Sequence, residues 1–144
     1  MEPHLQLERR RQELDLSRDD VARLSGLTVY EYPHLEEDKD EIYMVSSLSD
    51  VARVCAVLGL DIVELFGLDP CHEQVSKEFV MKKREEIGLS PSDVAEQVGI
   101  EQAMLEDVER DLSAIGNWVM EPISRLARIL RVSTACLIAP MRPK

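Results

Sequence analysis

The chain has 144 residues, of which 44% are hydrophobic and 4% aromatic, and its formal net charge is −11. No apolar run approaches the length of a membrane span, and the opening MEPHLQLERRR lacks the apolar segment of a secretory signal, so a soluble cytoplasmic protein is expected. The charge is uneven: residues 1–72 hold 7 Lys+Arg against 16 Asp+Glu, a balance of −9, while residues 73–144 hold 10 against 12, a balance of −2, which makes the first half a poor surface for a polyanion.

In chain order, His4 to Leu14 reads as a first helix with Leu5 and Leu14 facing inward. Arg9-Arg10-Arg11 points around most of its circumference, as a solvated face does. Ser17 is an N-cap for a second helix, with Asp19 and Asp20 in the first turn, where the macrodipole favours acids. Gly26 makes the turn. The third segment, Thr28 to Glu37, keeps Tyr32 and Leu35 at its apolar positions but carries Pro33 in its middle. Proline in a helix interior removes an i→i−4 bond and costs about 3 kcal/mol. The segment is therefore expected to kink or to restart with Pro33 in its first position. Its outward residues, Val29, Tyr30, Glu31 and His34, are not a set of base readers, and His34 reads as an exposed bystander. Glu36 to Glu41 is an acidic loop running into Ile42-Tyr43-Met44-Val45. Ser47 caps a fourth helix ending near Leu58-Gly59, Asp61 to Phe66 forms a short fifth, and Leu68 to His72 is a linker.

The second half opens with Glu73 to Ile87, which contains Lys82-Lys83-Arg84. Leu89 to Arg110 then reads as two short helices joined by a tight turn. Ser90 caps the first and Pro91 sits at N1, where its missing N–H is harmless. Val94, Ala95 and Val98 form its apolar stripe, and Ala95 is small enough to permit a close crossing. Gly99 supplies the left-handed turn, and Ile100, Leu105 and Val108 continue the apolar pattern. Ala114-Ile115 and Trp118-Val119-Met120 interrupt a long loop. Like Ile42, Tyr43 and Met44 in the first half, Trp118 and Val119 are expected to be buried across the two halves or across a homodimer, since together they would otherwise form a large exposed patch. A helix starting near Pro122 carries Arg125, Arg128 and Arg131 along one side, a basic stripe suited to a phosphate backbone or an acidic protein surface.

The halves repeat. Residues 14–27, LDLSRDDVARLSGL, lie 73 positions before 87–100, IGLSPSDVAEQVGI, and VCAVLGLD at 54–61 matches LARILRVS at 126–133 with an offset of 72. A repeat of this period implies two copies of one small helical domain, 1–69 and 70–144. The pattern Val94-Ala95, Gly99, Ile100, Leu105, Val108 resembles the lambda-repressor-like (Xre-type) helix-turn-helix family, and Val21-Ala22, Gly26 and Leu27 resemble it again. The resemblance implies an all-α chain of two tandem five-helix domains, the first degenerate at Pro33. It also implies a function: family members place the second motif helix in the DNA major groove. Carried to this sequence, the positions facing DNA are Pro91, Ser92, Glu101, Gln102, Ala103, Glu106, Asp107 and Arg110. Of these, Ser92, Gln102, Ala103 and Arg110 are compatible with DNA and the acids are not.

No pattern of catalytic residues is present: there is no phosphate-binding glycine loop and no nucleophile beside a histidine and an acid, so no enzyme and no cofactor are expected. Cys71-His72 has no second pair, which argues against a metal site, and Cys55, Cys71 and Cys136 read as reduced thiols. Two functions stay open. One is a transcriptional regulator with weak DNA binding carried by the second repeat. The other is a protein-interaction module that kept the fold and lost the DNA face, as in the RodZ-type cytoplasmic domains that LARILRVS and RDLSAI at 110–115 also resemble. Its candidate surface is Arg125, Arg128, Arg131, Ile42, Tyr43 and Trp118.

Overall fold

The serines that open helices by sequence do so in the structure, a computed structural model that describes residues 1–143. Ser17 accepts the Asp20 N–H at 3.0 Å while the Asp20 carboxylate accepts the Ser17 N–H, a reciprocal capping box. Ser47 and Ser90 accept the N–H groups of Asp50 and Asp93 in the same way. The fold is all-α: among the described residues there are helices and turns and no strand. The first half holds α1 (Pro3–Glu13), α2 (Arg18–Ser25), α3 (Glu31–Glu37), α4 (Glu41–Met44), α5 (Leu48–Leu58) and α6 (Ile62–Leu65). The second holds α7 (Phe79–Ile87), α8 (Pro91–Val98), α9 (Gln102–Arg110), a 3-10 segment (Leu112–Asn117), α10 (Met120–Leu130) and α11 (Thr134–Leu137). None of these helices is long and apolar enough to cross a membrane.

The sequence repeat recurs in the backbone and in the packing. Gly26 and Gly99 end α2 and α8 with φ of 78° and 85°, the left-handed region where a side chain would be strained. At the 73-residue offset, Leu7 and Val80, Val21 and Val94, Ala22 and Ala95, Tyr32 and Leu105, and Leu35 and Val108 are all buried. A polar feature repeats as well. Arg11 donates from Nε and Nη2 to Glu36 at 2.7 and 3.0 Å, and from Nη1 to the Leu16 carbonyl at 3.0 Å. Arg84 likewise donates from Nε to Glu109 and from Nη1 to the Leu89 carbonyl at 2.9 Å. Each clamp ties the first helix of its half to the second helix of the motif pair and to the loop before the cap.

The halves grip each other reciprocally. α4 of the first half packs on α10 of the second, and the 3-10 segment of the second packs on α5 of the first. The Leu48 N–H at the start of α5 donates to the Trp118 carbonyl at 2.8 Å. Gly116 is buried there, and a Cβ on it would overlap the Ser49 hydroxyl and press on the Met141 thioether. Ile42 and Trp118 are buried within one chain, each worth about 1.5–3 kcal/mol of apolar transfer. The expected shared contact is thus intramolecular, but it takes only part of the set. Tyr43 turns to Phe66 of its own half, ring centroids 5.4 Å apart, and Met44 is exposed. At the far end Arg142 pairs with Asp61, and the Ser133 hydroxyl donates to the Asp69 carbonyl at 2.8 Å.

Other expectations are corrected. Leu5 and Leu14 are exposed; α1 buries Pro3 and Leu7 instead, because its orientation is set by the helices it meets. Pro33 neither kinks α3 nor opens it. The Thr28 hydroxyl accepts the Glu31 N–H, and the Glu31 carboxylate accepts the Thr28 N–H. The helix that follows starts at Glu31, so Pro33 falls within its first turn, where N–H groups lack in-helix partners anyway. Glu36 is not a loop residue but a buried member of α3, and Arg11 is a structural anchor rather than a solvated one. α7 begins at Phe79, six residues later than expected from Glu73, and α10 begins at Met120. Cys71 and Cys136 are not reduced thiols but a disulfide joining the linker to α11; only Cys55 is free, and burial pushes its thiol up to about 12.

Candidate functional site

The surface that the family resemblance singles out is the outer face of α8 and α9. Leu105 and Val108 turn inward, which leaves Gln102, Ala103, Glu106, Asp107 and Arg110 exposed on α9, and Ser92 exposed in the first turn of α8. Ser92, Gln102, Ala103 and Arg110 therefore share access to solvent. They are not one cluster: Gln102 and Arg110 sit at opposite ends of α9, about 12 Å apart along its axis. Each is already engaged. The Gln102 amide donates to Glu106 at 2.9 Å and Arg110 donates to Asp107 at 2.7 Å. With Asp93, Glu96 and Glu101 also exposed, this face carries five carboxylates against the single arginine at its end.

The basic stripe on α10 is broken up. Arg125 is half-buried, pairs with Glu121 at 3.5 Å and lies over the turn glycine Gly99. Arg53, 72 residues earlier, does the same for the first half, donating to the Ser25 carbonyl at 2.9 Å beside Gly26. Both arginines thus support a turn. Arg128 is exposed, and Arg131 leaves the helix as its left-handed cap; among the described residues neither makes an ion pair. Ile42 and Trp118 are buried interior supports rather than an outer surface, and Tyr43 is half-buried with its ring edge-on to Phe66.

The equivalent face of the first half has a different character. The outward positions 73 residues before Ser92, Gln102, Ala103 and Arg110 are Asp19, Val29, Tyr30 and Glu37. Tyr30 is 79% exposed, and Leu24 and Val29 are exposed as well. Beneath this face lies an open groove of about 280 Å3, where Leu27 and Tyr30 from the turn meet Val45 from the end of α4, ringed by Glu31, Glu41 and Asp50 together with His34 and Ser46. The Thr28 N–H holds the Glu31 carboxyl below its ordinary value, so that acid stays charged. Asp50 is paired with Arg53. The sequence marked Val29 and Tyr30 as outward residues that are not base readers; that Val45 would join Tyr30 depends on where α4 docks, which no local pattern encodes. Compared with known proteins, the chain matches no family model, no curated protein and no solved structure.

Proposed function

We propose that the chain is a non-enzymatic helix-turn-helix regulator of the lambda-repressor-like kind, two units in one polypeptide, with duplex DNA met weakly by α8 and α9. The observation that carries this is the recurrence, 73 residues apart, of a capped helix, a left-handed glycine, a packed second helix and an Arg–Glu clamp. The second unit has the outer helix better suited to a groove, exposing Gln102 and Ala103 at its start. Freeing Gln102 and Arg110 from their exposed carboxylate partners costs little, about 0.2–1 kcal/mol per pair. The larger obstacle is repulsion of Glu101, Glu106 and Asp107 by phosphates within a Debye length of roughly 8 Å. Binding is therefore weak and strongly salt-dependent. Fluorescence anisotropy with labelled duplex DNA at low and physiological salt tests this. Glu106→Gln with Asp107→Asn should strengthen low-salt binding several-fold; no binding by either protein at low salt would end the DNA proposal.

A second function, a protein-interaction module, is favoured by one observation: the outer face of the first unit is apolar and acidic where a DNA reader would be polar and basic. Under it the same double substitution leaves DNA binding negligible and the partner complex intact, whereas Tyr30→Ala on the first unit's face abolishes the complex. A DNA-binding regulator works in the cytoplasm, where thiols are kept reduced. There the fold must hold without the Cys71–Cys136 bridge.

A further inference from the structure

The two motif faces of this chain differ in character. Where the second half exposes Gln97, Gln102 and Ala103, the first exposes Leu24, Val29 and Tyr30, 73 residues earlier. Val45 is 64% exposed and forms the groove wall with Leu27 and Tyr30. A largely exposed tyrosine at the lip of a groove with an apolar wall and an acidic rim is the composition of a protein contact, where rigid aromatic side chains act as anchors. The rim says which partner. Glu31 and Glu41 contribute negative charge without a cation paired to them among the described residues, Asp50 adds a third carboxylate shared with Arg53, and the half as a whole stands at −9.

We propose that this groove docks a basic amphipathic segment of a partner protein, one apolar side chain entering between Leu27, Tyr30 and Val45 while flanking Arg or Lys residues meet Glu31 and Glu41. The negative field of the first half steers such a segment toward the site and repels nucleic acid from it. The docking site is independent of DNA binding by the second half, and the two can operate together: one unit holds DNA while the other recruits a protein.

The probe is a short fluorescein-labelled peptide of Arg, Leu and Ala, with Leu at i and i+4 flanked by Arg, read by anisotropy against the full chain. A control peptide carries Glu in place of Arg. Tyr30→Ala and Glu41→Lys test the groove, and Glu64→Lys, an exposed acid on α6 outside it, tests general acidity. Saturable binding of the basic peptide is expected, weakened about tenfold or more by Tyr30→Ala and by Glu41→Lys and little changed by Glu64→Lys. Circular dichroism confirms that the variants are folded, as expected for substitutions outside the core. The proposal is overturned if the parent does not bind the basic peptide, if the acidic peptide binds equally well, if Glu64→Lys weakens binding as much as Glu41→Lys, or if Tyr30→Ala leaves it unchanged. It is also overturned if Tyr30→Ala weakens duplex DNA binding instead.

Discussion

Replacing Arg11 by Met should remove about 3 kcal/mol of stability, a large share of the roughly 5–15 kcal/mol that holds a domain together. The Glu36 side chain has no exposed surface, and it accepts two bonds from Arg11 and one from Arg18 at 3.2 Å. Removing one partner of a buried pair costs about 3–5 kcal/mol, because the surviving charge stays desolvated. Arg18 keeps the loss at the lower end, while the Leu16 carbonyl, deprived of its donor, adds to it without being strictly additive. Burial alone would raise the Glu36 carboxyl, but the Arg11 hydrogen bonds and the charges of Arg11 and Arg18 outweigh it and hold the group below the ordinary 4.5. A carboxylate with a depressed folded value contributes stability that is fully present above its unfolded value and drains away as pH falls through the folded one. The parent should therefore lose stability more steeply below about pH 4.5 than a Glu36→Gln variant, which starts lower and has no such proton to take up. Urea unfolding followed by far-UV circular dichroism and by Trp118 emission reads both effects. In the second half Glu109 has Arg84 as its sole ion-pair partner among the described residues, so Arg84→Met should cost at least as much. If Arg11→Met unfolds at the parent's urea midpoint, the clamp does not hold these helices together and the energetic argument fails.

Gly116→Ala should cost about 1–3 kcal/mol, because its Cβ would overlap the Ser49 hydroxyl across the contact between halves. Ser49→Ala in the same chain should recover part of that loss, and a Gly116→Ala protein as stable as the parent would show that the halves do not approach so closely. Reducing the Cys71–Cys136 bridge frees a loop of 65 residues and should lower stability by about 4 kcal/mol on the chain-entropy model. Thermal unfolding with and without a reductant measures this; a melting temperature that does not move would mean that the bridge constrains nothing, and a chain that unfolds outright in reductant would exclude a working life in the cytoplasm.

Local chemistry was legible in the sequence and distant pairing was not. Ser17, Ser47 and Ser90 cap helices because a cap needs only its own side chain and an N–H three residues on. Gly26 and Gly99 take the left-handed turn for an equally local reason. Pro33 misled because the cost of proline depends on where the helix begins, and that is set upstream by Thr28 and Glu31. Leu5 misled because a helix as polar as α1 has no strong apolar face, so its neighbours choose which side is buried. The Arg11–Glu36 clamp spans 25 residues and the disulfide 65, separations at which spacing carries no information. At the site, the exposed residues of α9 followed from periodicity. Their carboxylate partners at i+4 and i−3 lie in the same pattern, where each acid is both a charge that repels phosphate and a hydrogen-bond acceptor.

Two copies of one pattern in a single chain allow the interior and the exterior to be compared position by position. At the 73-residue offset the interior keeps its chemistry: apolar stays apolar at Leu7 and Val80, Val21 and Val94, Leu35 and Val108, and the clamp keeps both arginine and glutamate. The outer face does not keep its chemistry: Val29 stands against Gln102, Tyr30 against Ala103, and Glu37 against Arg110. Solvent does not require Tyr30 or Val45, since either could be polar at no cost to the packing beneath. A covering partner would supply the missing reason, and the acidic rim selects a basic one. The reciprocal seating of α4 on α10 and of the 3-10 segment on α5 matches the exchange of contacts across a two-fold dimer. A symmetric dimer must present the same face twice. One chain that holds both halves is free of that constraint, so each half can carry a different surface while the packed interior holds both in place.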